Sequence, residues 1–223
     1  MEIIEAVRTR KSIRGYKPIP VPKEILRQIL EAAIRSPSSR NTQPWEFAVI
    51  TGEVFDKIKQ GTAEALRSGT NPNPDITYSD TAEGRFKQYQ LDCLYQIWDS
   101  MGIAREDKEA RAKWAKLRVS YFGAPAVIII FAESYLDAME TQFDIGLLTQ
   151  AICLTALQYG LGTCIMRAPL DYTEVIRKFT NIPTSKRIVI AIAIGYPDWE
   201  FPGNKTQISR ESLENITTCY GFD

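Results

Sequence analysis

The sequence predicts a helix-and-strand domain with a sheet covered on both faces, on three observations. Gly123 to Phe131 and Arg187 to Gly195 are continuous β-branched runs with no polar face, as in strands packed on both sides. Between them and before them, apolar residues recur at helical spacing, most clearly at Ile25, Leu26, Ile29, Leu30, Ala33 and Ile34. At 223 residues the chain can bury a sizeable core, and one domain is the simpler expectation.

Taken in order, Glu2 to Arg10 reads as a short helix with one apolar stripe, ending in the basic cluster Arg10-Lys11-Ser12-Ile13-Arg14 before Gly15. Guanidinium forks and a hydroxyl are donors suited to a phosphate monoester. The same cations also favour a solvated helix C-terminus through the helix dipole, and local pattern leaves both readings open. Pro18 to Pro22 is a stiff connector to a helix reaching about Arg35. Ser36 to Trp45 then packs small hydroxyls, two prolines, two amides and an indole into one loop, fit for an ordered turn or for a flat, heteroatom-rich ligand.

Glu46 to Thr51 alternates as a strand, and Val54 to Leu66 returns to helix. Ser68 to Asp80 carries Gly69-Thr70-Asn71-Pro72-Asn73-Pro74 and is expected to be a mobile loop. Ala82 to Met101 and Arg105 to Val119 read as an inserted helical pair over roughly 68–119, with Trp98 and Trp114 as packing residues. Asp144 to Tyr159 leaves so little polar surface that it is expected to be buried nearly all round, most easily in a dimer interface. Thr163 to Arg167 reads as a short strand, broken by Ala168-Pro169, and Tyr172 to Phe179 as a short helix. The tail from Tyr196 has too few core formers to fold alone.

Composition removes whole classes of function. The chain has no histidine, so Ser-His-Asp and Cys-His machinery and His-ligated zinc are absent. No metal site is expected, and in an enzyme of this sequence something other than a histidine drives the chemistry. The 27 basic and 27 acidic residues balance, and no basic block indicates nucleic acid or an anionic membrane. The N-terminus is acidic and amphipathic and the longest apolar run, Ala124 to Ala132, is too short to span a bilayer, so the expectation is a cytoplasmic protein. Cys93, Cys153, Cys164 and Cys219 form no C-x-x-C pair and are expected as buried thiols. Gly160-Leu161-Gly162 lacks a third glycine and follows a helix, so neither a dinucleotide fingerprint nor a P-loop is present.

Five motifs in order, Arg10 to Arg14, Pro37 to Trp45, Gly160-Leu161-Gly162-Thr163-Cys164, Gly195-Tyr196-Pro197-Asp198 and Ser209 to Leu213, resemble the FMN-dependent nitroreductase family over almost the whole chain. Tyr121 to Pro125 before the long strand resembles its nitrobenzoate-reductase branch. The resemblance implies an α+β fold with a mixed central β-sheet flanked by helices. It also implies an intertwined homodimer with C-terminal tail exchange, in which Ile216 to Phe222 adds an edge strand to the partner. It implies FMN held by Arg10, Lys11, Ser12 and Arg14, with Arg210 and Lys205 completing the phosphate clamp. Pro37, Ser38 and Ser39 would meet the partner's flavin with Asn41 bracing that loop, and Met166, Arg167 and Ala168 would lie beside the ring. Ala168 has no hydroxyl for flavin N5, which favours two-electron hydride transfer from NAD(P)H to a nitroaromatic or quinone-like acceptor in ping-pong order. Reductive dehalogenation, with Arg85 or Lys87 as a charged lid, flavin modification, and non-catalytic flavin binding are the alternatives on the same scaffold.

Overall fold

The computed structural model describes residues 2–78 and 81–222. Its elements run α1 (Ile3–Thr9), α2 (Lys23–Ala33), β1 (Glu46–Thr51), α3 (Gly52–Arg67), α4 (Gly84–Ser100), α5 (Lys108–Val119), β2 (Ala126–Glu133), α6 (Ala138–Gln158), β3 (Gly162–Met166), α7 (Thr173–Thr180), β4 (Lys186–Gly195) and α8 (Pro202–Lys205). The four strands form one sheet in the order β1-β2-β4-β3. The α+β expectation holds. Every ladder is antiparallel, however, and the parallel pairing among the described residues is the single bridge between Ser12 and Thr163, so the sheet is mixed only at that point.

The two apolar runs became the central pair because each of their faces has its own helical cover. Val127, Ile129 and Phe131 face one way with Ala191 and Ala193, into a core that contains Phe55 and Ile58 of α3 and Ile176 of α7. Ala126, Ile128, Ile130 and Ala132 face the other way with Ile192 and Ile194, onto Leu26 and Ile29 of α2 and Ile145, Leu148 and Ile152 of α6. Burying an Ile side chain stabilises by roughly 1.5–3 kcal/mol, so a strand with no solvent face is what these runs favour.

Two expectations change. Helix α6 starts at Ala138, six residues before the sequence pattern begins, because Asp137 caps it by accepting from the amides of Met139 and Glu140 at 2.9 Å. Within Asp144 to Tyr159, Ile145, Leu148 and Ile152 are inside and Leu147 is 37% exposed in the single chain, while Met139 and Phe143, ahead of that span, are 81% and 69% exposed. The segment after α3, expected as a mobile loop, is tied to the body at Asn73, which donates to Asp171 O at 2.8 Å and accepts from the Thr173 hydroxyl at 2.9 Å through its own carbonyl. Ser79 and Asp80 of that loop lie outside the described residues. The tail contains a 3-10 turn at Leu213–Asn215 and makes no strand within its own chain among the described residues. Among those residues no helix is long and apolar enough to cross a membrane.

Candidate active site at the β3 edge

The cation cluster after α1 is a piece of the sheet. Ser12 pairs with Thr163 of β3, and the Ile13 amide donates to Thr163 O at 2.9 Å while its side chain is 2% exposed. Two residues on, the Arg14 amide donates to Asn204 Oδ1 at 2.6 Å, and Asn204 Nδ2 donates to Gly15 O at 2.7 Å and Asp198 O at 2.8 Å. Asn204 is fully buried, so one amide of α8 satisfies three backbone groups of two loops. Asn204 was missed by sequence reasoning; an isolated amide in a short Pro-Gly turn carries no local mark of such a role.

Around this fixed backbone the half-buried side chains of Arg10, Lys11, Ser12 and Arg14 gather charge. Among the described residues no carboxylate lies within ion-pair distance of Arg10, Lys11 or Arg14. Burial, and then the like charge of Arg14, pull the Lys11 pKa below its usual value. Beneath them Cys164 is pushed up to about 11 by burial, and Cys153 is raised for the same reason, so the thiols stay neutral and add no compensating charge. Two guanidinium forks, an ammonium and a hydroxyl, held on rigid backbone without an internal counter-ion, fit a phosphate monoester. The phosphate end of FMN therefore suits this donor set.

The second cluster sits elsewhere in the chain. Arg40, Asn41 and Gln43 adopt left-handed backbone with φ of 51°, 59° and 48°. Such strain persists only when the surroundings enforce it. Here the Ser39 amide donates to both oxygens of Asp144 at 3.1 Å, Gln43 N donates to Ser38 Oγ at 2.9 Å, and buried Pro44 and Trp45 hold the exit. Asp144, only 3% exposed, was not singled out from the sequence. Pro37, Ser38 and Ser39 with Phe143 and Leu147 of α6 border an open apolar cavity of about 510 Å³. Asn41 is exposed, its carbonyl accepting from Gln43 Nε2 at 3.2 Å. Among the described residues no hydrogen bond joins this loop to residues 10–14 of the same chain.

The third group follows β3. Met166 is 4% exposed and belongs to the core, so only its backbone is available to a ligand. Arg167 and Ala168 border a separate cavity, and the Arg167 guanidinium lies 3.0 Å from the centroid of the Tyr78 ring. The tail residues are not assembled with the cluster. Lys205 pairs with Glu200 at 3.2 Å, and exposed Arg210 turns Nη1 back onto the carbonyls of Ile208 and Ser209 at 3.0 and 2.9 Å. What holds the tail is α4: Tyr89 donates to Glu211, and the hydroxyls of Ser100 and Thr206 meet at 2.7 Å. Of the two lid candidates, Arg85 lies over the ring of Phe86 at 5.0 Å.

The fold is thus an α+β sheet with an uncompensated cation segment on its β3 edge, a donor set that suits an anionic ligand. The chain belongs to the Nitroreductase family, whose sequence model matches residues 7–196. It is 32% identical over 223 aligned residues to a nitrobenzene nitroreductase of Ectopseudomonas oleovorans, covering 97% of this chain and 96% of that one. It is 29% identical to a 4-nitrobenzoate reductase of Pseudomonas putida, covering 97% and 95% of the two chains. Among solved structures, the FMN and NADPH-dependent nitroreductase NfnB of Sphigopyxis sp. strain HMH superposes with a TM-score of 0.94 at 26% identity, over 100% of both chains.

Proposed function

We propose that the chain is a single FMN-binding domain that passes hydride from NAD(P)H to nitroaromatic or quinone-like acceptors in ping-pong order. The observation that carries this reading is the Arg10–Arg14 segment, a phosphate-type donor set without a carboxylate, in a chain whose family and relatives are nitroreductases. When bound, FMN supplies the hydride chemistry that a chain without histidine cannot supply itself. Arg10, Lys11, Ser12 and Arg14 would hold its phosphate and one ring edge, and the backbone at Met166, Arg167 and Ala168 would line the ring. Lys205, next to Asn204 in α8, and Arg210 would close on the phosphate by leaving Glu200 and the tail carbonyls.

The functional unit in this reading is a homodimer with exchanged tails. Its support is apolar surface that one chain leaves in water: Ile3 and Ile4 of α1 at 79% and 67%, Met139 and Phe143 of α6, and Tyr220 and Phe222 of the tail at 85% and 83%. Pro37, Ser38 and Ser39, beside that α6 surface, would then meet the partner's flavin, with Asn41 bracing their loop. The four cysteines are free, with Cys153 and Cys164 buried as expected but Cys93 half-buried and Cys219 exposed, and free thiols suit the reducing cytoplasm, where the protein would act.

The decisive measurement is an anaerobic absorption spectrum of the purified protein. A yellow protein bleached by NADPH or NADH, and restored by a nitroaromatic, is the expected result. A colourless protein that takes up no added FMN overturns the proposal.

A further inference from the structure

The cavity beyond the end of β3 has a charge pattern that hydride transfer alone does not use. Its volume is about 300 Å³, at the small end of ligand sites, which span roughly 300–1,000 Å³. That is room for one aromatic ring with its substituents and too little for a dinucleotide. One wall is apolar, from Leu170, Ile188 and Val189; the other is the 74–78 segment with the Tyr78 ring. Four charged residues line it: Asp75, Arg118, Arg167 and Asp171.

Asp75 is already neutralised, since its carboxylate takes the Arg177 guanidinium and the Ile188 amide, the latter at 2.6 Å. Asp171 is left facing two guanidiniums; burial raises its pKa, and the charges of Arg118 and then Arg167 lower it. Among the described residues neither Arg118 nor Arg167 has a carboxylate within ion-pair distance. Two cations against one half-buried acid leave the cavity one positive charge in excess beside an aromatic face.

We propose that this cavity is the subsite for an anionic substituent on a one-ring nitroaromatic acceptor, with Arg118 as the specificity-determining cation and the Tyr78–Arg167 stack as its side wall. The inference rests on the function proposed above and narrows its substrate class. Arg118 stands at the exposed C-terminal end of α5, outside the cofactor-holding residues, so its replacement leaves the core and the phosphate segment intact.

The test compares 4-nitrobenzoate with its neutral isostere 4-nitrobenzamide, using FMN-loaded wild-type, Arg118→Met and Arg118→Lys proteins. Arg118→Met is expected to raise KM for the benzoate about tenfold with kcat held, the loss of one charge-assisted hydrogen bond, and to leave the benzamide within about twofold. Arg118→Lys restores most of the benzoate affinity. An equal effect on both acceptors overturns the proposal. So does a fall in flavin content, which would make the cavity part of the cofactor site, or a selective rise in KM for NADPH, which would assign the charge to the nucleotide phosphate. Wild-type protein that reduces neither compound overturns the underlying function as well, and is thereby told apart from failure of this inference alone.

Discussion

An Arg177→Met chain is expected to lose about 3–5 kcal/mol of folding stability, the cost of breaking a buried ion pair from one side. Arg177 and Asp75 have side chains only 9% and 18% exposed. The guanidinium also donates to the carbonyls of Ile182, Pro183 and Lys186, so its removal orphans several acceptors at once. A urea titration checks this: the midpoint should fall with the slope unchanged. A loss below about 1 kcal/mol would place the pair among the energetically silent ones. Because Asp75 anchors the 74–78 segment, the same variant should open the cavity wall beneath Tyr78.

Gly162→Val is expected to release the cofactor from a chain that still folds, with affinity for FMN down more than tenfold. A Cβ at Gly162 would overlap Ile13 Cγ1, stand 2.8 Å from Pro197 Cγ and 3.2 Å from Ile13 Cβ. These atoms lie close to their own backbones and have little room to move aside. The segment carrying Arg10, Ser12 and Arg14 must therefore shift off β3, at an overpacking cost of about 1–3 kcal/mol. Flavin content after gel filtration, and titration of the stripped protein with FMN, measure the effect. Full retention of flavin would mean that the cation segment is not the phosphate site.

The parts legible in the sequence were those that local chemistry determines. Glu46 to Thr51 was read with its observed ends because alternation and Gly52 mark both faces and the exit. The early start of α6 was signalled by Asp137 ahead of Glu140, but Met139 and Phe143 broke the pattern by pointing apolar groups to solvent. The Arg10–Arg14 cluster was visible as residues and ambiguous as a site, because a helix end and a phosphate cradle need the same cations. What separates the two is non-local: Ile13 on Thr163 and Asn204 under Arg14. The long-range contacts of the loop after α3 were not legible for a related reason. Its prolines and glycine are local signals of irregularity, whereas Asp75 is fixed by partners 102 and 113 residues away. Asp144, Arg118 and Asp171 were overlooked because a lone charge on a helix or turn looks like solvated surface until the fold brings its neighbours.

The contact of Tyr89 and Ser100 of α4 with Glu211 and Thr206 also sets a geometric quantity. It fixes the point from which the last stretch of chain departs. Extended from there, residues 212–222 reach roughly 36–40 Å, whereas a compact chain of 223 residues has a radius of gyration of only about 17 Å. Helix α4 thus acts as a mooring post: a line tied there reaches about twice that radius, and its length, more than its sequence, sets how far away Leu213, Ile216, Tyr220 and Phe222 can find cover.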